Sequence, residues 1–124
     1  MQFHRDKNDS LNTIRAYGAE GLQVGERIVQ PPCVIAVAAI IDDWTTSDVQ
    51  SLSVADMMPV IALRTELIIL GSGSSLSFPD SSIAAAVNQQ GTGFEVMDSA
   101  AACRTYNLLA HEGRSVAVAL VAGG

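Results

Sequence analysis

The sequence predicts one α/β domain in which helices are layered on a sheet as a three-layer α/β/α arrangement. Three observations point there. The second half alternates short apolar runs of strand length (ELIILG, GFEVM, SVAVALV) with stretches long enough for helices. Both helical stretches between those runs open on a capping acid or serine and close on a glycine. The chain has 124 residues, enough for one domain that buries roughly two-thirds of the surface its unfolded form exposes.

The polar stretch 1–10 has no pattern and reads as a frayed tail ahead of a single globular unit over 11–124. NTIRAYG alternates, with Ile14 and Ala16 expected on one side of a strand. LQV and RIV flank Gly25-Glu26, a tight reversal. Pro31-Pro32 ends that pairing, and the unbroken CVIAVAAII reads as one strand covered on both faces. IDDWTTSD is loop-like, and Ser53 caps a short helix that Pro59 bends or interrupts. ELIILG is then a strand. Asp80 opens a helix to about Gln90, with Gly91 at its left-handed end. GFEVM follows, and Asp98 or Ser99 opens a second helix to His111 or Glu112. Gly113 ends that helix and SVAVALV is the last strand.

Composition excludes several classes of function. Seven basic against thirteen acidic residues give a net charge of −6, the wrong sign for counterion-release binding to nucleic acid. Residues 31–63 hold Asp42, Asp43, Asp48 and Asp56 and no Lys or Arg: a solvated acidic rim, or a docking surface for a basic partner. The longest apolar run, Cys33 to Ile41, falls far short of the roughly 18 residues of a membrane helix. The mixed-charge start MQFHRDKNDS has no secretory or mitochondrial leader pattern, so the expected location is cytoplasmic. Cys33 and Cys103 show no redox or zinc spacing and read as two buried thiols. Neither a metal nor a cofactor is expected: His4 sits in the tail, and Asp42-Asp43 lacks calcium-loop spacing.

Two constellations carry whatever chemistry there is. Gly71-Ser72-Gly73 follows a strand, as a phosphate cradle would. However, Leu76 occupies the third glycine position of a dinucleotide fingerprint, the next helix starts late, and the only lysine is Lys7. This leaves a hydroxyl-rich turn or an anion site that would draw on Asp98, Ser99, Arg104 and Asn107. Along the last helix, Ala102, Cys103, Tyr106, Leu109 and Ala110 share the packing face. Arg104, Asn107 and His111 line up opposite as a polar stripe able to grip a carboxylate, a phosphate or a peptide backbone, or simply to meet solvent. A Cys103/His111 dyad is out of reach, since eight residues of helix separate them by roughly 12 Å. Trp44, the only tryptophan, covers the core edge or anchors a partner amid Asp42 and Asp43.

The strand LIILGSG, the FP and helix after it, and GTGFEVMDSAAACRTYNLLAHEGRSVAVAL together resemble a widespread family of small, mostly uncharacterised domains. That family includes mitochondrial respiratory complex I assembly factor three and the vertebrate adipogenesis-associated domain protein. The resemblance covers about Asn12 to Val121. Its motif falls on Gly71, Gly73, Asp98, Ala101, Ala102, Arg104, Thr105, Tyr106 and Asn107, with Trp44 where an aromatic is common. Ser72 departs from a commoner threonine, and Thr92 from an apolar residue. The resemblance implies a mixed central sheet, an extra N-terminal β piece and one of the last strands running antiparallel. It also implies a non-catalytic protein-binding or assembly-factor-like module that contacts another protein through the acidic loop around Trp44, with Asp42 and Asp43, or through the polar stripe of Arg104 and His111. The alternative is a small-molecule or anion-binding domain, or an enzyme, using the Gly71–Gly73 loop, the helix start after Asp98, and Arg104.

Overall fold

A computed structural model describes residues 11–45 and 47–122; the tail expected over 1–10 lies outside them. Strands β1 (Ile14–Gly18), β2 (Gly21–Val24) and β3 (Arg27–Val29) form a small antiparallel sheet. Gly25, at φ 61°, makes the expected reversal with Glu26. A bulge between Ile14 and Ala16 overturns the expected alternation: Ile14 is buried and Ala16 exposed.

CVIAVAAII is a hairpin rather than one strand. β4 (Cys33–Ala36) and β5 (Ala39–Ile41) pair antiparallel around Val37-Ala38. No glycine marks the turn, because neither Val37 nor Ala38 takes a positive φ, and a distant residue satisfies its carbonyls. Asn12 donates from Nδ2 to Ala36 O at 2.9 Å and from its backbone N–H to Val37 O at 3.0 Å.

The central sheet has the order β5-β4-β8-β6-β7, with β6 at Leu67–Gly71, β7 at Gly93–Met97 and β8 at Val116–Leu120. It is mixed, as expected, but the reversed strand is not among the last ones. β6 runs parallel to both β7 and β8, and β4 is antiparallel to β8. The two-residue turn after β4 reverses the chain within the sheet, whereas helical crossovers carry it back to start the next strand in the same direction.

Helix α1 (Val54–Ile61) begins at a capping box: Asp56 N–H donates to Ser53 Oγ at 3.2 Å, and Ser53 N–H to Asp56 Oδ2 at 2.9 Å. It runs through Pro59 without interruption. The bond Pro59 cannot make would go to Ala55, and both residues are exposed, so water can serve that carbonyl. Helix α2 (Ser81–Gln89) is capped by Asp80, and α3 (Ser99–His111) by Asp98. Gly91 at φ 82° and Gly113 at φ 86° follow them in the left-handed region. Among the described residues no helix is long and apolar enough to cross a membrane.

Strict alternation in the sheet builds two cores. Val34, Ile68, Leu70, Ala117 and Ala119 pack under α1 and α2, together with Trp44. Cys33, Ile35, Ile69, Val118 and Leu120 pack on the other face, under α3 and the small β1–β3 sheet. The third layer is therefore half helix and half sheet.

Candidate functional site

Open α/β sheets bind ligands at strand carboxyl ends where successive helices leave to opposite faces. Here that point is Gly71-Ser72-Gly73 at the end of β6, flanked by α2 on one face and α3 on the other. The turn is filled by its own chain. Gly73 N–H donates to Ser99 Oγ, and Ser99 N–H to Gly73 O, both at 2.8 Å. Ser72 N–H donates to Met97 O at 2.8 Å; its Oγ donates to Ser75 O at 2.8 Å and accepts from Ser77 N–H at 3.1 Å. At the start of α3, Ala101 N–H donates to Asp98 Oδ1 at 2.9 Å. Most donors an anion would need there already have partners. Gly71 serves close packing: a Cβ would overlap the Leu120 methyl and lie 3.0 Å from Ser99 Oγ.

The polar stripe of α3 divides by role. Asn107 turns to the chain's own first strand: Ile14 N–H donates to Asn107 Oδ1 at 2.9 Å, and Asn107 Nδ2 donates to Ile14 O at 2.7 Å. Next to it, Tyr106 is fully buried and donates its hydroxyl to Asn12 O at 2.6 Å; burial raises its phenol pKa. The amide thus grips a peptide backbone, and that backbone belongs to this protein. Arg104 is exposed, and His111, also exposed, has Nδ1 2.9 Å from Asn107 O.

Because Asn107 tethers β1 to α3, the two elements leave a groove of about 320 Å³ between them, with Arg15 and Tyr17 on the strand side and Arg104 on the helix side. Cys103 lies in its floor. Burial pushes the Cys103 thiol up to about 12, against the opposing pull of Arg104. Burial likewise raises Cys33 to about 12, with the Cys103 thiol and Asp42 adding to it. Both thiols are free and buried. Arg15 and Tyr17 escaped sequence reasoning, since strand alternation marks them as outward-facing but does not say that a helix borders them.

Trp44 is largely buried, and its Nε1 donates to Asp56 O at 2.7 Å, so the ring seals the core beneath the acidic loop. Asp42 accepts from Arg27 Nη2 at 2.7 Å, a surface ion pair between the end of β5 and β3; Asp43 is exposed. The two alternative partner surfaces lie apart, with Arg104 and His111 on α3 and Asp42 and Asp43 just past β5, at the other edge of the sheet from β7. Among the described residues no three metal-ligating side chains come together.

A mixed sheet with helices on both faces and an added three-stranded sheet defines a fold class already represented among solved structures. An NMR structure from Xanthomonas campestris has 35% sequence identity and a TM-score of 0.80, covering 100% of this chain and 94% of that one. A Bordetella pertussis protein described as an Mth938-like domain has 24% identity and a TM-score of 0.79, covering 93% of this chain and 88% of that one. The family model described as "Protein of unknown function (DUF498/DUF598)" matches residues 14–121, and the chain belongs to that family. Among its relatives is NADH dehydrogenase (ubiquinone) 1 alpha subcomplex assembly factor 3 of Xenopus tropicalis, 31% identical over 87% of this chain and 60% of that protein. The human factor of the same name is 29% identical, with 87% of this chain and 59% of that protein covered. The chain thus spans about three-fifths of the assembly factors it matches. A "13 kDa major membrane protein" of Francisella tularensis is 27% identical over 81% of this chain and 80% of that protein.

Proposed function

We propose that this domain is a non-catalytic protein-binding module of the assembly-factor kind, and that it holds an acidic segment of its partner in the groove between β1 and α3. The observation that carries this reading is the pair of arginines, Arg15 and Arg104, lining one opening together with Tyr17. Guanidiniums recognise carboxylates through paired N–H donors, and an adjoining aromatic supplies area that loses water on binding. The groove offers position and charge rather than proton transfer, because burial keeps the Cys103 thiol protonated and arginine does not exchange its proton near neutrality. The names of the assembly-factor relatives support the class. The anion-binding alternative at Gly71–Gly73 has less support, since its donors are engaged within the chain.

Capture from native lysate tests the proposal, using wild type, Arg104→Ala and Arg15→Glu with matching far-UV spectra. A partner retained by wild type and lost from both variants is expected. Equal recovery by all three overturns the groove. A clean wild-type lane, with a metabolite raising Tm by several degrees, transfers the function to the alternative site.

A further inference from the structure

Strand β7 ends the central sheet on one side, and among the described residues only β6 pairs with it. Gly93 N–H donates to Glu66 O, and Ser72 N–H donates to Met97 O, both at 2.8 Å. Residues 93, 95 and 97 therefore face β6. By strand alternation the N–H and C=O groups of Phe94 and Val96 point away from the sheet. Proteins commonly protect such an edge with lysine, proline or a covering loop. Here the sequence is GFEVM, and beside it lies a groove of about 520 Å³ between β7 and the start of α2. Phe78, Pro79, Ala84, Phe94 and Val96 form its apolar wall. Phe78 is 62% exposed, the largest exposure among the big apolar side chains described. Asp80 carries a carboxylate at the groove, and Glu95, between Phe94 and Val96, turns its own to the opposite face of β7; both residues are exposed.

We propose that this edge takes up an extended segment of a partner protein as an added strand, one in which apolar residues alternate with lysine or arginine. The unpaired backbone groups provide a ladder, and the groove beside Phe78 accepts alternate apolar side chains, the two requirements of recognition by strand addition. Charge selects the occupant. Each face of this edge carries one carboxylate, Asp80 beside the groove and Glu95 on the opposite face where the alternate side chains of an added strand would lie, and no cation lines the groove among the described residues, so a basic segment is attracted and an acidic one repelled. A second copy of this chain fits less well, because a two-fold pairing of β7 with itself about its central residue sets Glu95 against its own counterpart. The groove lies on the α2 side of the sheet at its β7 edge, and Arg15 and Arg104 line a different opening between β1 and α3, so either surface can fail without the other.

The test uses an acetylated, amidated octapeptide of alternating lysine and valine, its glutamate–valine counterpart, and the isotope-labelled protein in solution. The lysine peptide is expected to bind at low salt and to protect the Phe94 and Val96 amides from exchange, with the glutamate peptide at least about tenfold weaker. Val96→Pro removes an outward N–H and leaves the β6 ladder intact, so it should abolish binding. Phe78→Ala alters a mostly exposed side chain and should weaken binding about tenfold, and Glu95→Lys should invert the preference between the peptides. The proposal is overturned if neither peptide protects those amides, if both bind alike, or if protection appears in the protein alone as its concentration rises, which would make the occupant a second copy.

Discussion

Gly71 and Asn107 show how much one residue's role depends on a neighbour far along the chain. The glycine motif was legible as a turn, but its reason was not. Gly71 is small because Leu120 and Ser99 press on it, and only Gly73, at φ 106°, needs the left-handed region. Gly71→Ala should therefore destabilise by overpacking, about 1–3 kcal/mol in urea unfolding. An unchanged midpoint would show that the end of β6 yields more easily than a buried strand should. Asn107 read as a ligand grip or as a solvent-facing amide. Nothing within the helix indicates that its partner is Ile14, 93 residues away.

At the scale of elements, α3 is the post to which the N-terminal sheet is tied. Asn107 contributes two hydrogen bonds to β1, and Tyr106 one to Asn12, whose side chain in turn satisfies the β4–β5 turn. Asn107→Ala should cost about 1–3 kcal/mol and raise hydrogen exchange in β1 ahead of the central sheet. Tyr106→Phe, which removes one bond from a buried ring, should cost about 1 kcal/mol. Uniform exchange across both sheets in the Asn107 variant would refute the tether. The helices were well read from sequence because caps are local: Ser53, Asp80 and Asp98 all act within three residues of themselves. The hairpin within CVIAVAAII was missed because its turn is satisfied from outside the segment, by Asn12.

For the whole molecule, two cores on either face of one sheet leave both thiols and the Tyr106 phenol in apolar surroundings. Each is an acid whose folded pKa is raised above its unfolded value, so the folded state favours the protonated form. The stabilisation is complete below the ordinary thiol pKa and is lost as pH climbs toward the folded thiol value of about 12. Tm should hold steady near neutrality and fall from about pH 9 upward. A thiol reagent at pH 8 should label Cys33 and Cys103 only after unfolding, and rapid labelling of the native protein would contradict their burial.

The sequence by itself determined the α/β class, the helices with their caps, most strands, the acidic balance and the family resemblance. All of these rest on periodicity, composition or contacts within a few residues. Tertiary structure alone decided which strand runs against the others, that the glycine turn is closed by Ser99, that Trp44 seals a core, and that Arg15 meets Arg104 across a groove. Each of those outcomes depends on surfaces brought together from distant parts of the chain. Spacing along one helix or strand says which way a side chain points, but not what packing will place in front of it.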